Sequence, residues 1–249
     1  MTSGAFPRRR WVFVVIALEL LIFCGGGRSW SSPVFSPSAI EVDVIGDSLS
    51  TGLATGGFAW TDAAARTFAR DRPAVRFVNA AENGSGYVAR GQHGDTFLDE
   101  VERVVSARTQ IVLVFGSDND LGMRGLSTAV ARTLRRIRAL APSATLIVVG
   151  PPAPPAQQVQ RLAGIRDTIE ETTRGVAGQF VDALALKWFQ GDAKAYVGPD
   201  HEHPNDSGEQ YLAARMTAVL APAIRAAAHR RRAAALPARA TTDPVDRRR

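Results

Sequence analysis

The chain has 249 residues, of which 45% are hydrophobic and 22% charged, a composition typical of a soluble globular domain with a substantial core. Its net charge of +6 would suit a nucleic-acid-binding protein, but the positive excess lies at the two ends, and residues 29–224 hold 18 basic and 21 acidic residues. Specific nucleic-acid binding needs a basic surface on the folded domain, so we expect no nucleic-acid partner.

The N-terminal segment is predicted to direct export. Three arginines at positions 8–10 precede an apolar run from Trp11 to Cys24, and a stretch rich in glycine, serine and proline follows. A basic segment before a short apolar run is typical of a signal peptide. Membrane attachment through residues 11–24 is the second interpretation, although the run is shorter than the ~20 residues of a full span and contains Glu19. We therefore assign residues 1–38 to a signal peptide or anchor plus a linker, and the protein to the extracellular space or cell envelope.

From residue 39 onward, apolar runs of strand length alternate with segments of helical periodicity. The predicted strands cover residues 42–45, 75–78, 111–115, 146–149 and a short fifth strand from 180. The predicted helices cover residues 60–69, 96–107, 126–140, 159–173 and 207–227. Alternation of this kind predicts an α/β fold, a three-layer sandwich with a five-stranded, mostly parallel sheet and helices on both faces. We assign this domain to residues 39–228 and predict a basic disordered tail over residues 229–249.

Side chains suited to catalysis follow the predicted strands. Ser48 comes directly after the first strand, a glycine-rich segment surrounds Gly84 after the second, and Asn119 follows the third. The carboxyl ends of parallel strands meet at one edge of a sheet, where ligands bind in open α/β folds. A serine at this edge is a candidate nucleophile, although serines after strands also form turns and N-caps. His203, three residues after Asp200, precedes the last helix and offers a candidate base.

Neighbouring residues have simpler interpretations. Asp47, next to Ser48, could be catalytic, but we expect it to accept hydrogen bonds that brace the loop. Three aromatic residues are candidates for the wall of a substrate site: Tyr87, Trp188 and Tyr196. For Trp188 the expected role is core packing.

Four short segments in chain order carry a family resemblance. The clearest are Gly46-Asp47-Ser48-Leu49, Asn119-Asp120 and Asp200-x-x-His203-Pro204. The remaining block is a glycine, for which a count of five residues from Asn79 favours Gly84 and the local Ser-Gly pairing favours Gly86. Together these segments resemble the SGNH (GDSL) family of serine hydrolases over about residues 40–220. The chain departs from the family pattern at Ser117 and His201, where the family commonly has glycine. The resemblance implies a flavodoxin-like SGNH fold.

The resemblance also implies a role for each residue. Ser48 would attack an ester carbonyl, His203 would remove and return the proton, and Asp200 would fix the imidazole tautomer. A developing oxyanion needs hydrogen-bond donors already in place. The predicted donors are the backbone N–H of Ser48, that of either Gly84 or Gly86, and the side-chain amide of Asn119.

Neither a metal nor an organic cofactor is expected. Asp118 and Asp120 flank Asn119, and residues 201–203 read His-Glu-His, but neither group has the spacing of a known metal site. Residues 84–86 could cradle a phosphate, yet the lysine of a P-loop is missing. Cys24 is the only cysteine, which excludes a disulfide within the chain.

The predicted function is that of a secreted or membrane-tethered serine esterase or lipase, which cleaves a small-molecule, lipid or glycan ester through an acyl-enzyme. An acyltransferase that passes the same acyl group to a different acceptor is one alternative. A non-catalytic binding module of the cell envelope is another, for which the departures at Ser117 and His201 leave room. The sequence leaves the acyl group, the alcohol and the oligomeric state open.

Overall fold

The computed structural model describes residues 39–71 and 73–235. The strands are β1 Ile40–Ile45, β2 Val75–Asn79, β3 Ile111–Phe115, β4 Thr145–Val149 and β5 Gln179–Val181. The helices are α1 Trp60–Thr67, α2 Phe97–Val104, α3 Leu126–Leu140, α4 Val159–Gly175 and α5 Asp206–Ala235. The strands form one sheet in the order β2-β1-β3-β4-β5, and every neighbouring pair is parallel. The predicted α/β architecture is therefore confirmed.

The sheet is buried on both faces because helices cover each of them. Alternate residues of a strand point to opposite faces, and β3 shows this clearly. Leu113 and Phe115 pack into a cluster that includes residues of α1 and α5, while Val112 and Val114 pack into a second cluster with residues of α2, α3 and α4. All five residues of β3 are fully buried, which explains its continuous run of apolar side chains. These are the three predicted layers.

The strand order places the carboxyl ends of β1 and β3 at a topological switch point. After β1 the chain crosses to β2 on one side and later returns to β3 on the other. Ligands bind in the crevice at such a point in doubly wound sheets. The loops that begin at Gly46 and Gly116 therefore border the same crevice.

Several predicted boundaries differ from the structure, and α5 differs most. The helix continues to Ala235, so residues 229–235 are helical and their assignment to a disordered tail was wrong. Apolar periodicity fades in this stretch, but alanine and arginine are strong helix formers without it. No helix of the described residues is long and apolar enough to cross a membrane. The predicted export segment at residues 1–38 and the tail from residue 236 lie outside the described residues.

Candidate active site

The hydroxyl of Ser48 meets the imidazole of His203 at the carboxyl edge of the sheet. Ser48 Oγ lies 3.0 Å from His203 Nε2, although the two residues are 155 positions apart in the chain. His203 Nδ1 lies 2.8 Å from Asp200 Oδ2. When Nδ1 carries the imidazole hydrogen and donates it to Asp200, Nε2 is left to accept the Ser48 hydroxyl. This is the arrangement of a serine with its base and an orienting carboxylate.

A tight turn before α5 fixes Asp200 against His203. Asp200 Oδ1 accepts the N–H groups of Glu202 and His203, each at 3.0 Å. Partial burial raises the pKa of Asp200, but these two N–H groups and the imidazole outweigh it and set the pKa at about 2. His201, inside the turn, has a φ of 62°, in the left-handed region that glycine adopts most easily. Glycine would suit this position, and here an exposed histidine adopts the same conformation.

Asp47 braces the turn that presents Ser48. Its Oδ1 accepts the N–H of Leu49 at 2.9 Å and so caps the short 3₁₀ turn Ser48–Ser50. Burial raises the pKa of Asp47 to about 7, against the hydrogen bonds from Leu49 and the Ser117 hydroxyl that lower it. The expected bracing role of Asp47 is confirmed.

The side chain of Asn119 lies between the loops that follow β1 and β2. Its Nδ2 donates to Ser85 O at 2.9 Å and lies 3.3 Å from Asp47 Oδ2. The N–H of Asn119 donates to Ser117 Oγ at 2.9 Å. Ser117 stands at the glycine position of the family pattern and is fully buried. Its hydroxyl accepts the N–H of Asn119 and hydrogen-bonds to Asp47, so it ties the Asn119 loop to Asp47.

Only one of the two candidate glycines has an available N–H. The N–H of Gly86 donates to Ala89 O at 3.0 Å, and this glycine lies against the Asp120 carboxylate. Gly86 therefore cannot donate to an oxyanion without breaking its turn. Gly84 has a φ of 78°, and its N–H makes no hydrogen bond to another described residue. The N–H of Ser48 is likewise unpaired within the described part of the chain.

Comparison with known proteins identifies the family of this chain. Residues 44–211 match the model of the GDSL-like lipase/acylhydrolase family, which is more than half of the chain and includes Ser48, Asn119, Asp200 and His203. The chain belongs to this family. It is also 34% identical over 219 residues to the GDSL lipase Rv0518 of Mycobacterium tuberculosis, a match that covers 83% of this chain and 94% of that lipase. The protein is therefore a carboxylic ester hydrolase of the SGNH type.

Solved structures share the fold of this hydrolase at low sequence identity. A lipase/acylhydrolase from Enterococcus faecalis superposes with a TM-score of 0.57 at 15% identity, covering 73% of this chain and 95% of that one. A family 3 carbohydrate esterase of Clostridium thermocellum gives a TM-score of 0.59 at 18% identity, covering 76% of this chain and 99% of that one. At such identities the likeness supports the fold alone.

Two buried acids of the hydrolase were not assigned a role from the sequence. Asp120 accepts three backbone N–H groups, from Tyr87, Val88 and Ala89, and so holds the loop that follows β2. Glu100, on α2, contacts the loops that follow β1 and β2. The only signal for Asp120 was its place beside Asn119 in the third block, and the sequence held no signal for Glu100.

The aromatic candidates divide between the core and the surface of the hydrolase. Tyr87 is 3% exposed and packs edge-on against Phe97, so it belongs to the core and not to a substrate wall. Trp188 is buried against Phe115, as expected. Tyr196 is partly exposed and stacks on Tyr211. Within residues 39–71 and 73–235, no group of three or more His, Cys, Asp or Glu side chains could hold a metal ion.

Proposed function

We propose that the protein is a serine esterase or lipase that hydrolyses its ester through an acyl-enzyme on Ser48. The observation that carries this proposal is the continuous chain of hydrogen bonds from Ser48 Oγ through the His203 imidazole to Asp200 Oδ2. A serine hydroxyl is a weak nucleophile until a base accepts its proton, and His203 is within reach to do so. Family membership supplies the reaction class, and this geometry supports the nucleophile.

The proposed reaction has two halves that use the same groups. In the first, His203 Nε2 takes the proton of Ser48 while Oγ attacks the ester carbonyl. Asp200 stays ionised at neutral pH because its pKa is about 2, and it stabilises the imidazolium. The imidazolium then protonates the departing alcohol, leaving the acyl group on Ser48. In the second half, His203 activates a water that attacks this acyl group, and the carboxylic acid leaves as Ser48 regains its proton.

The tetrahedral oxyanion of each half needs hydrogen-bond donors. We propose the N–H of Ser48, the N–H of Gly84 and the side-chain amide of Asn119. The two N–H groups have no other acceptor among the described residues. Gly84 has a positive φ, a conformation that other residues adopt only with strain, so glycine is needed to hold this turn.

No specific observation favours a non-catalytic module. The two departures from the family pattern that left room for it are accommodated, since Ser117 accepts the N–H of Asn119 and His201 adopts the left-handed conformation of the turn.

We also propose that residues 1–38 export the protein, as a signal peptide or membrane anchor, on the basis of the basic and apolar segments. N-terminal sequencing of the mature protein and fractionation of the cells test this part.

Ser48→Ala is the direct test of the nucleophile. The variant should lose hydrolysis of a short p-nitrophenyl ester and lose labelling by a fluorophosphonate probe while keeping its unfolding midpoint. Ser127→Ala, at an exposed serine of α3, is the matched control and should keep both. Labelling of Ser48 should also fall in His203→Ala. Full hydrolysis by Ser48→Ala would reject the proposal, and transfer of most acyl groups to an added alcohol would instead favour the acyltransferase.

A further inference from the structure

A buried glutamate joins the two loops that carry the proposed N–H donors. Glu100 is fully buried on α2. Its Oε2 accepts the N–H of Gly46 at 2.9 Å, and its Oε1 lies 2.8 Å from Ser85 Oγ. Gly46 is two residues before Ser48, and Ser85 directly follows Gly84. One side chain therefore forms hydrogen bonds with both loops.

The contacts of Ser85 Oγ indicate which protonation state Glu100 has. This oxygen lies 3.0 Å from Gly46 O, 2.8 Å from Glu82 O and 2.8 Å from Glu100 Oε1. A hydroxyl has a single hydrogen, and a carbonyl oxygen only accepts. With an ionised Glu100, two of these three contacts would join acceptors without a hydrogen between them. With a hydrogen on Oε1, Glu100 donates to Ser85 Oγ and the Ser85 hydrogen is free for Glu82 O, so that one contact, the one with Gly46 O, is left without a hydrogen instead of two.

The surroundings of Glu100 favour the same neutral state. Burial raises the pKa of Glu100 to about 8, although the hydrogen bonds from Ser85 and Gly46 lower it. Among the described residues, Arg103 on the same helix lowers the pKa of this carboxyl, and Asp47, from the loop after β1, raises it. The pKa of Asp47 is itself raised to about 7, so Asp47 ionises before Glu100 as the pH rises. The number of hydrogens available to the contacts of Ser85 Oγ and the effect of burial on the pKa therefore both favour a neutral Glu100.

We propose that Glu100 is a positioning residue which, as a neutral carboxylic acid, fastens the Ser48 loop to the Gly84 loop and thereby fixes the oxyanion donors. The proposal deepens the proposed function and rests on it. Ser85 O also accepts the amide of Asn119, so the third donor is tied to the same unit. Glu100 touches no substrate in this scheme and acts through Gly46 and Ser85.

Loss of the Glu100 proton should loosen this unit. The carboxylate has no hydrogen to give Ser85 Oγ, so Ser85 must turn its own hydrogen to Glu100 and release Glu82 O. Oxyanion donors act mainly in the transition state, so their displacement lowers kcat more than it changes KM. The wild-type kcat is therefore expected to fall as the pH rises through about 8, with KM changing little.

The kinetic test compares Glu100→Gln with wild type from about pH 6 to about pH 10. Glutamine keeps an oxygen for the Gly46 N–H and an N–H for Ser85 Oγ, so it mimics the neutral acid. It should keep kcat for a p-nitrophenyl ester within about threefold at neutral pH and lack the alkaline fall. Glu209→Gln, which removes another buried carboxyl whose pKa is raised to about 8, should retain the fall. A tenfold loss in Glu100→Gln at neutral pH, or an unchanged alkaline fall, would overturn the proposal.

A measurement without substrate separates this proposal from the nucleophile assignment. Because folding raises the pKa of Glu100, the neutral carboxyl adds to the free energy of unfolding. This contribution is complete at pH values below 4.5, the ordinary pKa of glutamate, and is lost as the pH rises through about 8. Urea unfolding across that range should therefore show a shallower loss of stability in Glu100→Gln than in wild type. Parallel curves would refute the neutral acid whatever Ser48 does. Conversely, full activity of Ser48→Ala with a shallower Glu100→Gln curve would reject the nucleophile and leave the neutral acid standing.

Discussion

Asp120→Asn replaces one oxygen of a carboxylate whose two oxygens both accept backbone hydrogen bonds. Asp120 Oδ2 accepts the N–H of Tyr87 at 2.8 Å, and Oδ1 accepts the N–H groups of Val88 and Ala89 at 2.8 and 2.9 Å. Asparagine can keep its oxygen on the pair, but its NH₂ then faces the N–H of Tyr87. Rotation of the amide would instead turn the NH₂ toward the N–H groups of Val88 and Ala89. The first orientation is therefore the better one, and even there one buried donor loses its acceptor.

The cost follows from these three bonds. A buried N–H without a partner costs about 1–3 kcal/mol, and a hydrogen bond to a charged acceptor contributes about 1 kcal/mol more than one to a neutral acceptor. One orphaned donor and two weakened bonds give a loss of about 3–5 kcal/mol in the free energy of unfolding. For a domain of this size that corresponds to a fall of about 10 °C in Tm. The variant should remain folded, because typical domains are stable by about 5–15 kcal/mol.

Urea unfolding followed by circular dichroism measures this loss. Asp118→Asn is the matched control, two residues away in the same loop. Burial raises the pKa of Asp118, and its Oδ2 has no hydrogen-bond partner among the described residues, so a neutral amide should cost less than about 1 kcal/mol. Equal losses in the two variants, or an Asp120→Asn variant as stable as wild type, would refute the reasoning from N–H acceptors.

Two further predictions concern Asn119 and Glu209. Asn119→Ala should lower kcat about 10²–10³-fold with a smaller change in KM, because the amide acts on the oxyanion; steady-state kinetics measures this, and a change confined to KM would assign the amide to substrate binding. Burial raises the pKa of Glu209 to about 8, so its stabilising contribution is lost as the pH rises through that value. Glu209→Gln should therefore be more stable than wild type at about pH 9; unfolding curves at that pH and near pH 5 check this, and an equal difference at both would contradict it.

The strands and the catalytic edge could be predicted from the sequence because their signals are local. An apolar run ended by glycine marks β1, β3 and β4, and a parallel sheet brings the ends of β1 and β3 together whatever the helices do. The positions of Ser48 and Asn119 followed from this rule. His203 lies on no strand, and the motif resemblance, not the sheet, placed it at the same edge.

The parts that could not be predicted depend on contacts between distant residues. The choice between Gly84 and Gly86 turns on the acceptor at Ala89 O, which no spacing rule reveals. Glu100 occupies an ordinary helical position, where a charged residue is expected to face solvent, and its partners lie in two other loops. Likewise, the end of α5 depended on helix propensity after the apolar pattern had faded.

In the resting protein, both hydrogens of the Asn119 amide are already engaged. One is held by Ser85 O at 2.9 Å, while the other faces Asp47 Oδ2 across a longer gap of 3.3 Å. An ester carbonyl in its ground state is a weak competitor for that second hydrogen, whereas the alkoxide formed on attack is a strong one. The amide should therefore exchange Asp47 for the substrate oxygen only as negative charge develops on that oxygen. Its hydrogen bond then stabilises the transition state and adds little to the affinity for the unreacted ester.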